Sequence, residues 1–326
     1  MSGLKSQRSR ALAVSALLAV FQLPSAAAAP PIAREAAPGR PFALRIERIL
    51  DREKLESLGV PRPSRIAFDG GGNLYVLDAL SRRVVKLGPD GAPRVDLGGY
   101  GEDAASFSIP SDLLVDSRQS LLVLDRGKNA VIAFDGTGQY LAARAVAADV
   151  AADAFAPAAR LLVDPFGALW LLAARERDLL QLDERLERAR RSRFLAPEES
   201  LGTLASAAFL PSGGVWIYDA GAGALRRFGA SGQLIGSVPV GDSTGSAAPS
   251  DLATDGAGYL YVADLEGQRV LVYDESGTLR LARVLGGPGA PWRPAALAVS
   301  KQDRLAIADP GRGEIQILVI ERERTP

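Results

Sequence analysis

Residues 109–141 read IPSDLLVDSRQSLLVLDRGKNAVIAFDGTGQYL, and residues 249–281 read PSDLATDGAGYLYVADLEGQRVLVYDESGTLRL. The two stretches align without a gap, and each contains an apolar segment that ends in aspartate. That segment occurs six times along the chain, at spacings of 45–48 residues: LYVLD at 74–78, LLVLD at 121–125, LWLLA at 169–173, VWIYD at 215–219, LYVAD at 260–264 and LAIAD at 305–309. The last residue of each copy serves below as the anchor position.

The register extends to both sides of the anchor position. Four copies carry aspartate nine residues before it, usually followed by a glycine-containing turn (Asp69, Asp116, Asp164 and Asp255). The residue six positions after the anchor is aliphatic in every copy, and the residue nine positions after it is large and apolar. A repeat that keeps this register six times indicates a repeat architecture.

Each repeat predicts four short strands separated by turns, a size that suits one four-stranded propeller blade. The sixth repeat has no room for a fourth strand, whereas Phe42 to Ile49 alternates apolar and polar residues and has no partner of its own. Pairing this segment with the sixth repeat would hide both open edges. The sequence therefore predicts an all-β fold: a six-bladed β-propeller of four-stranded antiparallel blades, closed by the N-terminal strand.

The runs 109–141 and 249–281 resemble NHL repeats, whose pattern places proline, an apolar strand ending in aspartate, glycine and an apolar strand ending in Ala-Asp in this order. The resemblance covers residues 61–318. It departs in the third repeat, where Ala173 replaces the anchor aspartate, and in the fourth, where Leu204 and Leu210 replace the proline and the upstream aspartate. The resemblance, which is to exported bacterial NHL repeat-containing proteins, implies an interaction platform.

The N-terminus predicts export. Residues 1–29 combine three basic residues, an apolar run of 13 residues and a small-residue cleavage site, as in a secretory signal peptide. Residues 30–41 are rich in Pro and Ala and form a linker, and residues 42–326 form one propeller domain. We expect a periplasmic or secreted monomer with no integral membrane segment after signal cleavage.

Composition excludes several functions. The chain has no His and no Cys, which removes histidine general bases, thiol catalysis, disulfides and His or Cys zinc sites. The whole chain has 38 basic and 38 acidic residues, and the signal holds three of the basic ones, so the mature protein carries 35 − 38 = −3. This charge does not suit nucleic-acid binding.

The anchor aspartates allow two interpretations (Asp78, Asp125, Asp219, Asp264 and Asp309). Each could cap the turn that follows it, which fits its occurrence once per repeat. Alternatively, the five carboxylates could ring one mouth of the central channel and bind calcium, which prefers oxygen ligands. The first interpretation predicts no metal and no cofactor.

Basic and aromatic residues in the turns and interblade loops on the same face predict a partner-binding surface. Its candidate residues are Arg62, Tyr100, Arg126, Lys128, Arg175, Arg177, Arg269, Trp292, Arg293 and Arg312. The alternative is that loop aromatics such as Phe107 and Phe155 are plugs buried between blades, and that the arginines only keep the surface soluble.

Two functions follow. The first is a non-catalytic scaffold that recognises a protein, peptide or glycan of the cell envelope on its loop face. The second is a calcium-dependent hydrolase or lactonase that uses carboxylates at the channel mouth. We expect the scaffold rather than the enzyme.

Overall fold

The computed structural model describes residues 42–146, 160–173, 178–183, 189–191, 204–241, 247–286 and 291–322. Within these ranges, 24 strands form six antiparallel sheets of four strands each. The first strands of successive sheets contact one another all the way around, so the sheets are the blades of a closed ring. The predicted six-bladed propeller is confirmed; the predicted signal peptide and linker lie outside the described residues.

In blades 1 to 5, the strands follow one another in sequence from the axis outwards. Blades 1 to 3 consist of β2 (Arg65–Phe68), β3 (Leu74–Asp78), β4 (Arg83–Leu87) and β5 (Pro93–Gly98); β6 (Pro110–Val115), β7 (Leu121–Asp125), β8 (Ala130–Phe134) and β9 (Tyr140–Ala145); and β10 (Arg160–Val163), β11 (Leu169–Ala173), β12 (Asp178–Leu182) and β13 (Ala189–Arg191). Blades 4 and 5 consist of β14 (Leu204–Phe209), β15 (Val215–Asp219), β16 (Ala224–Phe228) and β17 (Leu234–Pro239); and β18 (Pro249–Thr254), β19 (Leu260–Asp264), β20 (Arg269–Tyr273) and β21 (Leu279–Val284).

Blade 6 joins the two ends of the described chain. It consists of β22 (Ala296–Val299), β23 (Arg304–Asp309), β24 (Glu314–Arg322) and, outermost, β1 (Phe42–Leu50). β1 pairs with β24 from Phe42 opposite Arg322 to Leu50 opposite Ile315, with a bulge between Ile46 and Arg48. The predicted closure by the N-terminal strand is confirmed.

The core lies between the blades. Among the described residues, six apolar clusters each join two neighbouring blades. The second strands are continuous apolar runs because both of their faces are covered: LYVLD, LLVLD, VWIYD and LYVAD are buried at every position. The outer strand YLAARA, by contrast, is mostly exposed.

One element was not predicted from the sequence. Helix α1 (Arg52–Ser57) lies where the chain passes from β1 to β2, and Asp51 caps it by accepting a hydrogen bond from the Lys54 N–H. Leu55 and Val60 are fully buried in the cluster between blades 6 and 1. The described part of the chain contains no helix long and apolar enough to span a membrane.

Candidate functional site

The second strand of a blade ends on the same face of the ring where its first strand begins. Asp125, for example, lies opposite Pro110, and Asp264 lies opposite Pro249. We call this face, which carries the anchor aspartates, the Asp face. The turns between first and second strands lie on the opposite face.

The anchor aspartates are fully buried and hydrogen-bonded to the backbone. Asp125 Oδ1 accepts hydrogen bonds from the N–H groups of Gly127 and Lys128 in its own turn, at 2.9 and 3.2 Å. Asp78, Asp264 and Asp309 cap their turns in the same way. The turn-capping interpretation is confirmed for these residues.

Sequence reasoning missed a second contact of the same carboxylates. Each also accepts an N–H from the loop that enters its blade, 16 residues earlier: Arg62 for Asp78, Ile109 for Asp125, Ala248 for Asp264 and Arg293 for Asp309. One carboxylate thus fastens a turn and an interblade loop together. Each donor lies 16 residues before its anchor aspartate, and this constant spacing is the signal in the sequence that could have revealed the contact.

The calcium alternative would need carboxylate oxygens that face a common point. The described residues contain no group of three or more acidic side chains arranged to hold a metal ion. Asp219, the remaining anchor, accepts the Ala222 N–H at 3.1 Å and pairs with Arg226 at 3.1 Å. Calcium binding stays a prediction.

The predicted partner-binding residues divide into exposed and engaged groups. Arg62, Tyr100 and Arg293 are exposed, and Tyr100 keeps 75% of its surface accessible. Lys128 is half-buried, and its Nζ donates to the carbonyl oxygens of Asp103 and Ser106 at 2.7 Å each. The other placements are as follows: Arg126 is half-buried, Arg269 is buried against Asp264 at 2.8 Å, Arg312 is half-buried beside Glu314, and Arg175 and Arg177 lie outside the described residues.

Trp292 corrects the expectation of an exposed aromatic side chain. It is 1% exposed and belongs to the apolar cluster between blades 5 and 6. Its ring packs against Gly286, where an added Cβ would lie 2.8 Å from Trp292 Cδ1. Phe107, also 1% exposed, occupies the equivalent place between blades 1 and 2. These loop aromatics are interblade plugs; Phe155 lies outside the described residues.

Open clefts lie on the Asp face, two of them on either side of helix α1. The blade 1 cleft, of about 960 Å³, is lined by Glu56, Gly59, Pro61, Arg62, Asp78, Leu80, Ser81, Arg83, Asp96, Gly98, Gly99 and Tyr100. On the other side of α1, a cleft of about 570 Å³ contains Asp51, Arg52, Arg293 and Arg312. A smaller one of about 290 Å³ adjoins Trp292 and Arg293. The structure therefore brings Arg62 and Tyr100 into one cleft and Arg293 and Arg312 into another.

A central polar layer lies on the first strands, thirteen residues before the anchor position (Arg65, Asp112, Arg160, Ser206 and Asp251). Arg65 Nε lies 3.4 Å from Asp112 Oδ1, and Ser206 donates to Asp251 at 3.2 Å. Burial raises the pKa of the Asp112 carboxyl even though Arg160 and Arg65 favour its charged form. Sequence reasoning missed this layer, although its residues occupy a constant position in the register.

The layer also links neighbouring blades through the backbone. Asp112 accepts the Leu161 N–H at 2.7 Å, Ser206 accepts the Leu252 N–H at 3.1 Å, and Asp251 accepts the Leu297 N–H at 2.9 Å. Each bond joins a side chain to the first strand of the next blade. The layer is thus committed to holding the ring together.

Comparison with known proteins supports the fold and the repeat type. No protein-family model matches the chain. NHL repeat-containing protein 3 of Homo sapiens is 31% identical over 93 residues, which span 27% of this chain and 27% of the human protein. The chain therefore has a local similarity to an NHL repeat protein.

Solved propellers match over most of the chain. A streptogramin B lyase structure aligns with a TM-score of 0.61 and 11% identity, covering 88% of this chain and 100% of that one. A gluconolactonase from Xanthomonas campestris aligns at 0.54 with 18% identity, covering 88% and 99%. The calcium-binding regucalcin of Agrobacterium tumefaciens aligns at 0.56 with 18% identity, covering 88% and 96%. At these identities the likeness shows the fold alone.

Proposed function

We propose that this protein is an exported bacterial NHL repeat protein that acts as a monomeric, non-catalytic binding scaffold. It recognises a protein, peptide or glycan of the envelope or extracellular space on the Asp face. The signal-like N-terminus supports export, and the local similarity to an NHL repeat protein supports the repeat type.

The observation that carries this proposal is the exposed Tyr100 beside Arg62 at the blade 1 cleft. Tyrosine and arginine are enriched at recognition surfaces because they combine a large apolar area with hydrogen-bonding groups. Among the exposed large hydrophobic side chains, Leu80 and Ile109 lie on the same face. A rigid ring that holds these side chains in place loses little entropy on binding.

Four of the acidic side chains around the clefts are occupied in a way that favours binding over catalysis. Asp78 and Asp309 are occupied by backbone N–H groups, while Asp96 and Glu314 pair with Arg83 and Arg312. A general acid or base needs a carboxyl that can reach a substrate proton. These four carboxyls are instead held by the protein itself.

The test measures capture of components from native envelope fractions by the immobilised mature protein. Tyr100→Ala and Arg62→Glu should reduce capture at least tenfold without lowering the melting temperature, because both side chains are exposed. Lys301→Glu is the matched charge control, since Lys301 is exposed in the β22–β23 turn on the opposite face. Equal loss with Lys301→Glu, or no loss with either Asp-face variant, would place the surface elsewhere.

Measuring capture and melting temperature with and without EDTA distinguishes the scaffold from the calcium-dependent hydrolase. The scaffold predicts that EDTA leaves both capture and the melting temperature unchanged. Tight calcium in the purified protein, together with a lower melting temperature in EDTA, would favour the hydrolase instead.

A further inference from the structure

We infer that the blade 1 cleft is a carbohydrate-binding site for an oligosaccharide that carries carboxylates, that is, a hexuronate oligomer. This inference rests on the proposed function and names the ligand class for the same surface. It depends on three features of the cleft: a fixed aromatic ring, a polar wall and an arginine that has no partner among the described residues.

The Tyr100 ring is held in place while remaining exposed. Its hydroxyl donates to the Leu80 carbonyl oxygen at 3.2 Å, and the Arg82 guanidinium carbon lies 4.7 Å from the ring centroid. Arg82 therefore covers one face of the ring, and 75% of the surface of Tyr100 remains accessible. The C–H face of a pyranose can stack on the other ring face without first ordering the tyrosine.

The cleft wall offers hydrogen-bonding groups in fixed positions. Arg83 and Asp96 form an ion pair that lines the cleft, and Arg83 reaches it past Gly59. A Cβ at Gly59, whose φ is +74°, would lie 2.3 Å from Arg83 Nη1, so a larger residue would make this guanidinium shift. Planar guanidinium and carboxylate groups present several donors and acceptors, which suit the adjacent hydroxyls of a sugar.

Two arginines at the cleft that pair with no described carboxylate favour an acidic sugar. The Arg62 side chain is exposed and forms no hydrogen bond or ion pair with the described residues, whereas its backbone N–H is fixed by Asp78 at 2.9 Å. Arg82 contacts the ring but no described carboxylate. Of the acids in the lining, Asp78 is held by backbone N–H groups and Asp96 pairs with Arg83, so Glu56 is the one without a described partner. Arg62 lies in the lining, and Arg82 lies against the adjoining Tyr100 ring. A guanidinium binds a carboxylate through two parallel hydrogen bonds.

The same cleft suits a peptide less well. Peptide recognition uses a sheet edge, an apolar groove for a helix, or apolar pockets for side chains. Here the exposed apolar side chains of the lining are Leu80 and Tyr100, and Gly98 and Gly99 leave part of the wall without side chains. An open, mainly polar cleft with one aromatic platform fits a ring-shaped, hydroxyl-rich ligand better.

The experiment is calorimetric titration of the mature protein with trimers of galacturonate, glucuronate and mannuronate, each compared with its methyl ester. We expect at least one trimer to bind, and its methyl ester to bind at least tenfold more weakly. Tyr100→Ala and Arg62→Gln should each weaken binding at least tenfold. Phe166→Ala and Arg118→Gln are matched controls, since both residues are exposed on the opposite face, and should bind like the parent.

The results that would contradict the carbohydrate ligand differ from the results that would contradict the scaffold. If no trimer binds, or if an acidic hexapeptide binds and depends on Tyr100, the ligand class is wrong while loss of envelope capture in Tyr100→Ala still supports the scaffold. If a trimer binds equally to the Tyr100 and Arg62 variants, the site is wrong. If Tyr100→Ala also leaves envelope capture intact, the proposed function fails as well.

Discussion

At the scale of single residues, the anchor aspartates combine two tasks that usually fall to different groups. Asp125 accepts hydrogen bonds from four backbone N–H groups. Two belong to the turn that follows it, and two belong to Ser108 and Ile109 in the loop that enters the blade. A buried carboxylate is tolerated because these donors compensate for its lost hydration. Its position at the end of a buried strand therefore reflects backbone hydrogen bonding.

Replacing these aspartates should destabilise the protein additively. Asp125→Ala and Asp264→Ala should each lower the free energy of unfolding by about 2–3 kcal/mol, because several buried donors lose their acceptor. The two sites lie on different blades, so the double variant should lose the sum. Urea denaturation checks this, and a strongly non-additive double variant would contradict independent turns.

Gly98 illustrates why a particular position requires glycine. Its φ is +80°, and a Cβ there would lie 2.2 Å from the Phe107 ring and 2.7 Å from the Arg82 carbonyl oxygen. Gly99 has a φ of +94° but no atom within 4 Å of its added Cβ. Both glycines have a positive φ, but only Gly98 has close neighbours. Comparing the two positions therefore distinguishes the cost of a steric clash from the cost of a strained backbone.

We expect Gly98→Ala to be clearly more destabilising than Gly99→Ala. Both variants bear the strain of a positive φ, about 1 kcal/mol, but only the first displaces the Phe107 plug. The excess should reach about 1–3 kcal/mol, as in overpacked cores. Equal melting temperatures for the two variants would show that Phe107 yields without cost.

The buried pair of Asp69 and Lys86 should give the protein an acid-sensitive contact. Burial opposes ionisation of Asp69, but hydrogen bonds from Asn73 and Lys86 outweigh it, so the pKa of Asp69 is lowered. The folded protein then binds this proton more weakly than the unfolded chain does. The contribution is complete above the ordinary pKa of aspartate and is lost as the pH falls through the folded value.

Asp69→Asn should therefore flatten the acid side of the stability profile. Unfolding measured in urea between about pH 5 and pH 2 should show a shallower slope for the variant than for the parent. Because Lys86 loses its charged partner and keeps only the Gly136 carbonyl oxygen, the variant should also be less stable at neutral pH. Parallel profiles for the two proteins would remove Asp69 from the acid response.

At the scale of elements, β1 is the strand that completes blade 6. Leu44 and Leu50 are buried, and cross-strand contacts link Arg45 with Glu321 and Glu47 with Arg304. Without β1, the nine-residue strand β24 would have an open edge.

Deleting residues 30–50 should produce a destabilised, aggregating protein, because an exposed edge strand pairs with other chains. Melting temperature and light scattering at increasing concentration provide the measurement. A truncated protein that melts like the parent and remains soluble would mean that β1 contributes little to closure.

The elements also show what sequence patterns reveal and what they miss. Strands, blade number and closure follow from periodic apolar residues, which depend on burial repeated in every blade. Helix α1 escaped because six residues show no helical period, and its anchor, Leu55, depends on packing between blades 6 and 1. Trp292 was misjudged because composition does not reveal whether a loop aromatic points into the core or into solvent.

At the scale of the whole molecule, the central polar layer connects the blades to one another. Its contacts join different blades: Arg65 of blade 1 lies beside Asp112 of blade 2, and also donates to the Ala295 carbonyl oxygen of blade 6 at 3.3 Å. Such pairings depend on which blades become neighbours. The repeat register therefore indicates where the residues of this layer lie on the first strands, but not which residues they contact.

Breaking the layer should weaken the ring as a whole. Asp112→Ala removes the carboxylate that faces Arg65 and the acceptor of the Leu161 N–H, and should cost about 3 kcal/mol or more. Ser206→Ala, in the same layer, removes a neutral hydroxyl and should cost about 1 kcal/mol. Urea denaturation compares them, and equal losses would show that the charge of Asp112 adds nothing.

The closure by β1 also places the two ends of the described chain side by side. Phe42 and Arg322 are direct cross-strand partners at the same end of an antiparallel pair, although 280 positions separate them in the chain. A short linker between these neighbours would make the backbone a continuous loop, and new termini could then be opened at an exposed turn of another blade. The ring geometry therefore specifies neighbouring blades and not a first and a last one, so that a circular permutant should assemble the same propeller with a different blade completed by its two ends.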